Sequence, residues 1–235
     1  MINKIKKINN LLIKHFGIPS RAGKLPDPVD MLIATILSQN TNDNNSYKAY
    51  NNLKKRYPNW EMLLTAKLPS IEKEIKVAGL GKQKSRAIKN FIQGLFRVNN
   101  NLNLNHIKNM KNLDAINELT KFKGVGVKTA SCVLLFALDR NICPVDTHVH
   151  RTLNRIGLVN TNTPDKTFFE LNRNFPGNIA HSFHTNLIRL GREICKPQKP
   201  NCSVCPLEKI CLYENKNYSR KENSTPKSFM LLDNV

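Results

Sequence analysis

Residues 122–130 read Phe-Lys-Gly-Val-Gly-Val-Lys-Thr-Ala, between helical patterns over Leu113–Phe122 and Lys128–Leu138. Gly124 and Gly126, one residue apart, let the backbone turn tightly and bring successive N–H groups to one side. The start of the second helix adds its own N–H groups and partial positive charge, so the turn suits a phosphate, and Lys123 and Lys128 flank it. A plain helix connection, in which the glycines serve only packing, accounts for the same residues. Lys128 falls in the first turn of that helix, where the macrodipole opposes a cation and favours the neutral amine that a lysine nucleophile needs. A phosphate-binding or solvated lysine is the alternative.

Outward from this turn the chain keeps the helical period. Ile2, Ile5, Ile8, Leu11, Leu12 and Phe16 recur at helical spacing among Lys and Asn, which predicts an amphipathic opening helix. Residues 21–28 carry Gly23, Pro26 and Pro28 and read as a linker. Val29–Leu37 is an apolar run of the buried-helix kind. Further helices are expected around 44–56, 60–66, 70–77, 82–98, 147–156, 168–175 and 180–194, and no stretch shows the sustained alternation of a half-buried strand. The fold class is therefore all-α. The tail, residues 212–235, is polar and basic and is expected to be loose.

With 37 Lys+Arg against 17 Asp+Glu, the 235 residues carry a formal charge of +20, which calls for a polyanionic partner. Apolar residues, 40% of the chain, are too common for a disordered protein. No apolar run approaches the ~18 residues of a membrane span, so no membrane partner is expected. The N-terminus lacks a secretory signal, and an intracellular location follows; its basic, acid-poor character fits a presequence only weakly, since it has no Arg and little Ser.

Two further constellations carry chemistry. Residues 144–151 read Pro-Val-Asp-Thr-His-Val-His-Arg, with Asp146 just before a helical run. Such an Asp is commonly an N-cap, and one at a cleft can also hold a cationic transition state or orient a water. His148 and His150 point to different faces of a helix and do not suit a metal. Cys195, Cys202, Cys205 and Cys211 are spaced C-x6-C-x2-C-x5-C, a metal site where thiols are kept reduced. Zinc modules favour two C-x2–4-C pairs. A single C-x2-C with a lone Cys on each side favours a [4Fe–4S] cluster. Lys196, Lys199 and Lys209 lie among these ligands, as in a phosphate-facing loop. Cys132 and Cys143 read as buried hydrophobes. Weaker signals are Ser38-Gln39-Asn40-Thr41 after the buried helix and Gly79-Leu80-Gly81-Lys82-Gln83-Lys84-Ser85-Arg86. There an exposed Leu can wedge between bases and an amide can fill the hole left by an extruded one.

In order, G-V-G-V-K-T-A, V-D-T-H-V-x-R and the four-cysteine spacing resemble the endonuclease III family of DNA glycosylases, within the helix–hairpin–helix superfamily. The resemblance runs from about Ile5 to Cys211. It implies a six-helix barrel, residues 21–140, facing an iron–sulfur cluster domain built from residues 1–20 with 141–211, and DNA bound in the cleft between. It implies Lys128 as catalytic lysine, Asp146 as essential carboxylate, and Leu80 and Gln39-Asn40 as the residues that enter the duplex. Lys82, Lys84, Lys123, Gly124, Gly126, His148 and Lys196 are then expected against DNA. The implied activity is a glycosylase and AP lyase for oxidised pyrimidines, acting as a monomer on duplex DNA through a lysine Schiff base and cleaving 3′ to abasic sites by β-elimination. A mismatch- or 8-oxoguanine-directed glycosylase is the runner-up, and a non-catalytic DNA-binding module with a structural metal comes third. The Lys128–Asp146 pair argues against the last, because pure binding does not require it.

Overall fold

In a computed structural model of the chain, described for residues 1–21, 23–219 and Leu232, every regular element is a helix. The chain divides into two units, one of residues 1–21 and 141–219, the other of 23–140 with Leu232.

The continuous unit is organised by α2 (Pro28–Leu37), in which every residue but Asp30 is buried. Its start is set by Asp27, whose carboxylate accepts the N–H of Val29 at 2.8 Å and of Asp30 at 3.4 Å, with Pro28 in the first helical position. A helix apolar on all sides must be surrounded, and α2 contacts α3 (Asp43–Arg56), α6 (Gly81–Asn99) and α8 (Val127–Cys132) with its π-helical continuation, Val133–Ala137. Of these, α3 and α6 bury a single stripe, while residues 129–137 of α8 and its continuation are buried throughout. In α3 it is Ser46, Ala49, Tyr50 and Leu53, and in α6 it includes Ala87, Ile88, Phe91, Ile92 and Leu95. The one-turn α4 (Met62–Thr65), α5 (Leu68–Ile75) and α7 (Asn112–Thr120) complete the unit. Between α6 and α7, the turn Asn105–Asn109 is stapled by Arg140, whose guanidinium donates to the carbonyls of Ile107 at 2.6 Å and of Lys108 and Met110 at 2.8 Å.

The discontinuous unit joins the opening helix to the end of the chain. In α1 (Ile2–Phe16), Ile5, Ile8 and Leu12 are fully buried, and the helix lies against α11 (Ala180–Arg189). Its C-terminal carbonyls are satisfied from that helix: Arg189 donates to Phe16 at 2.9 Å and Asn186 to Gly17 at 3.0 Å. At the other end the Lys4 ammonium caps Gly157 at 2.8 Å, where α9 (Thr147–Ile156) ends. This docking makes α1 part of the unit's core. The remaining helix, α10, runs over Pro164–Asn172 rather than 168–175, because Thr163 caps it and Pro164 opens it.

The start of the tail is ordered. Leu212 packs against Gly157, Cys202 N–H donates to the carbonyl of Asn217 at 2.9 Å, and the Tyr218 hydroxyl donates to Glu208 at 2.8 Å. The loose tail expected over 212–235 is thus corrected for residues 212–219, where backbone pairing with the cysteine loop holds the chain. Residues 220–231 and 233–235 lie outside the described residues.

Candidate active site and cysteine centre

In the continuous unit, α7 gives way to the glycine turn, which is anchored by two apolar residues. Phe122 meets Phe91 edge-on at 5.2 Å, and Val125 is buried with its N–H donating to the Phe122 carbonyl at 2.9 Å. The two glycines differ. Gly124 has φ +98°, and a Cβ there would stand 2.6 Å from that of Ala87 on α6. Gly126 is exposed with φ −98°, and a Cβ there would meet nothing within 4 Å. Packing explains the first glycine, and the space beside the second is open. Lys123 is exposed, and Lys128, second residue of α8, is half-buried. No side chain caps the start of α8.

The loop after α2 comes to the same helix, since Gln39 Nε2 donates to Thr129 Oγ1 at 3.3 Å. Asn40 beyond it is exposed with φ +50°. Leu80, at the mouth of α6, is 49% exposed with φ +49°. Lys82 and Arg86 are exposed on the first turns of α6. Lys84 corrects an expectation: the residue is 2% exposed and its ammonium donates inward, to the carbonyls of Leu37 at 2.8 Å and Ala78 at 2.9 Å, so it is not a surface contact for DNA. Helical spacing turns it toward the core with Ser85 and Ile88 while Lys82 and Arg86 face out.

In the discontinuous unit, Asp146 is the N-cap of α9, with Oδ1 accepting the Val149 N–H at 2.8 Å. One turn on, α9 presents His148 and Arg151 to the π-helical segment Leu190–Ile194, where a Cβ at Gly191 would stand 2.8 Å from that of His148. Burial lowers the His148 pKa from its ordinary 6.5; Asp146 opposes this, and Arg151 and Arg192 reinforce it. His148 is half-buried in this contact. His150 instead shares a 2.7 Å hydrogen bond with the Thr167 hydroxyl.

Two arginines bind α9 to the cysteine loop. Arg151 donates to the carbonyl of Cys195 through Nε at 3.1 Å and Nη2 at 3.0 Å, and to that of Gly191 at 2.8 Å. Arg155 donates to the carbonyls of Lys196 and Pro197, both at 2.8 Å, and to Cys195 Sγ at 3.4 Å, while lying 4.2 Å over the Tyr213 ring. Sequence inspection passed over Arg155; its signal is the i,i+4 spacing from Arg151 on the helix that Asp146 caps. Lys196 and Lys199 are exposed on this loop.

None of the six cysteines is in a disulfide. Cys132 and Cys143 are fully buried among apolar residues. The other four line one small cavity of about 20 Å³, together with Arg155, Ile194, Pro200 and Tyr213. Among the described residues no three His, Cys, Asp or Glu side chains converge as ligands of one ion. Four thiols gathered around one space are a donor set suited to a soft metal centre. Burial pushes the Cys205 thiol up to about 12, with Cys195, Cys211 and Cys202 adding to the shift and the Leu207 N–H opposing it. Deprotonated together, four such thiols would need a cationic centre to compensate them.

A chain that joins an all-helical unit, with a glycine hairpin and a lysine in the hairpin's second helix, to a unit that gathers four thiols occurs in known proteins. The sequence profile of the HhH-GPD superfamily of base excision DNA repair proteins matches residues 33–177. Endonuclease III of Thermotoga maritima is 33% identical over 222 residues, 94% of this chain and 99% of that protein. A protein assigned as a DNA glycosylase in Arabidopsis thaliana is 38% identical over 174 residues, 74% of this chain, and the match spans 59% of the plant protein's length. Among solved structures, a trapped covalent intermediate of endonuclease III with DNA matches with a TM-score of 0.76 at 27% identity, covering 89% of this chain and 94% of that one. The chain belongs to the HhH-GPD superfamily and, within it, to the endonuclease III family of base excision repair DNA glycosylases.

Proposed function

We propose that the chain excises oxidised pyrimidines from duplex DNA and then cuts the strand 3′ to the abasic site, acting as a monomer inside the cell. The observation that carries this is the hairpin of Gly126 and Lys128: open space where a DNA backbone can lie, and a half-buried lysine in the first turn of the helix beside it. The damaged nucleotide leaves the stack at a cost of a few kcal/mol, less where the lesion has weakened pairing. Lys128 Nζ bonds to C1′ of the sugar as the glycosidic bond breaks, and the base departs with the bonding electrons and the proton that the attacking amine gives up. Opening of the sugar ring gives a protonated imine. Loss of a proton from C2′ then expels the 3′ phosphate, leaving an unsaturated aldehyde bound as imine until water releases it. Asp146, held as the N-cap of α9, stabilises positive charge on the sugar. The covalent endonuclease III–DNA intermediate seen for a similar protein supports a covalent route.

Of the two amides after α2, Gln39 is tied to Thr129, so Asn40 at the exposed tip is the one that fills the gap left by the extruded base. Leu80 wedges beside it, and Lys82, Lys123 and Lys196 meet phosphates. Cys195, Cys202, Cys205 and Cys211 would hold a [4Fe–4S] cluster, which fixes the basic loop around them. Purified protein is then expected to carry about four irons per chain, with broad visible absorption; colourless protein with stoichiometric zinc overturns that assignment.

Borohydride is expected to trap the wild-type protein covalently on abasic and thymine-glycol duplexes, and Lys128→Gln to abolish trapping while still binding abasic DNA. Trapping at wild-type level in Lys128→Gln removes the nucleophile from Lys128. Excision compared across thymine glycol, 5-hydroxycytosine, 8-oxoguanine and G·T duplexes tests the substrate.

A further inference from the structure

Lys84 is an expensive residue in its place. A buried ammonium loses hydration that a methionine of similar length would not need, and burial brings the Lys84 amine down to about 8. Space-filling does not explain it; its two hydrogen bonds do. One goes to the carbonyl of Leu37, the last residue of α2, and the other to that of Ala78, the last residue of the 3-10 turn Lys76–Ala78. Both are carbonyls at helix ends, left without a partner inside their own element.

Each carbonyl also opens an exposed turn. Beyond Leu37 the chain runs Ser38-Gln39-Asn40, and beyond Ala78 it runs Gly79-Leu80. Both tips are left-handed, Asn40 at φ +50° and Leu80 at φ +49°. That region disfavours a leucine by about 1–2 kcal/mol, so it persists only where neighbouring structure holds it. The N–H groups of Gln83 and Lys84 donate to the Leu80 carbonyl at 3.0 and 2.9 Å, which places the Lys84 residue on both sides of that turn.

We propose that Lys84 is a positioning residue that joins the Asn40 turn to the Leu80 turn, so that amide and leucine enter the duplex as one rigid, two-pronged element. This rests on the function proposed above, in which both tips enter DNA. Filling the gap and wedging the stack each offset part of the cost of extrusion, and two prongs fixed to one ammonium are ordered before DNA arrives. A local change at either tip is then felt at the other.

A duplex with a tetrahydrofuran abasic analogue opposite 2-aminopurine, whose fluorescence rises on unstacking, reads this directly. Wild-type protein is expected to raise the signal, and Asn40→Ala and Leu80→Ala each to weaken the apparent affinity of that step. In the wild-type background the double variant is expected to depart from the product of the single effects by about threefold or more. In Lys84→Met the two effects are expected to multiply. The same departure in both backgrounds overturns the coupling. A wild-type protein that neither raises the signal nor is trapped by borohydride fails the proposed function itself, and does so before any change at Lys84. If Lys84→Met does not fold, amide hydrogen exchange in the Lys84-containing protein decides the matter. Leu80→Ala is expected to speed exchange over Gln39–Thr41 by about threefold or more, and unchanged rates there overturn the proposal.

Discussion

A methyl group added at Gly124 would press on Ala87 in a backbone at φ +98°, whereas one added at Gly126 would project into empty space at φ −98°. The two substitutions should therefore separate folding from binding. Gly124→Ala combines left-handed strain with overpacking and is expected to cost about 2–4 kcal/mol in denaturant unfolding. Gly126→Ala is expected to leave stability within about 0.5 kcal/mol while weakening binding to abasic duplex several-fold; unchanged binding would mean that the space beside Gly126 is not used. The sequence showed both glycines and the lysine between helices but could not divide the labour, because which glycine touches α6 depends on packing from elsewhere in the chain. Lys84 was misjudged for the same reason. In a run of Lys82, Lys84 and Arg86 every charge looks solvated, and only the rotation of α6 turns the middle one inward.

The helices themselves were largely legible, since apolar residues at a period near 3.6 are the direct cause of a buried face. The opening helix and α9 fall where periodicity places them, with α9 over Thr147–Ile156. Helix α10 was displaced in expectation because Phe168 and Phe175 drew attention from the Thr163–Pro164 start. The docking of α1 could not be read from its own residues. Burial of Ile5, Ile8 and Leu12 against distant helices predicts that Ile8→Ala costs about 2–5 kcal/mol in the unfolding of its unit. If Ile8→Ala melts as the wild type does, α1 is not part of that core. Arg151 and Arg155 act at the same scale. Four carbonyls and one sulfur of the cysteine loop and its approach are held by two side chains of one helix, the helix whose cap is Asp146.

For the whole molecule the charge of +20 acquires addresses. Lys82, Arg86 and Lys123 are exposed in one unit and Lys196 and Lys199 in the other, while Lys84, Arg151 and Arg155 are engaged with carbonyls. Not all of the surplus therefore meets phosphate. Each contact that does should contribute about −0.9 to the slope of log K against log salt on duplex DNA. Neutralising Lys82 and Lys123 together is expected to flatten that slope by about 1.8; an unchanged slope would remove them from the phosphate contacts. The division into two units has a consequence during synthesis. Residues 23–140 supply all of their unit but Leu232, so its helices can pack while the rest of the chain is still being made. Residues 1–21 are made before residues 23–140, yet Ile5, Ile8 and Leu12 find their cover only after residues 180–189 emerge. Helix α1 thus waits for its partner, and over that interval its apolar stripe is open to chaperones or to neighbouring nascent chains.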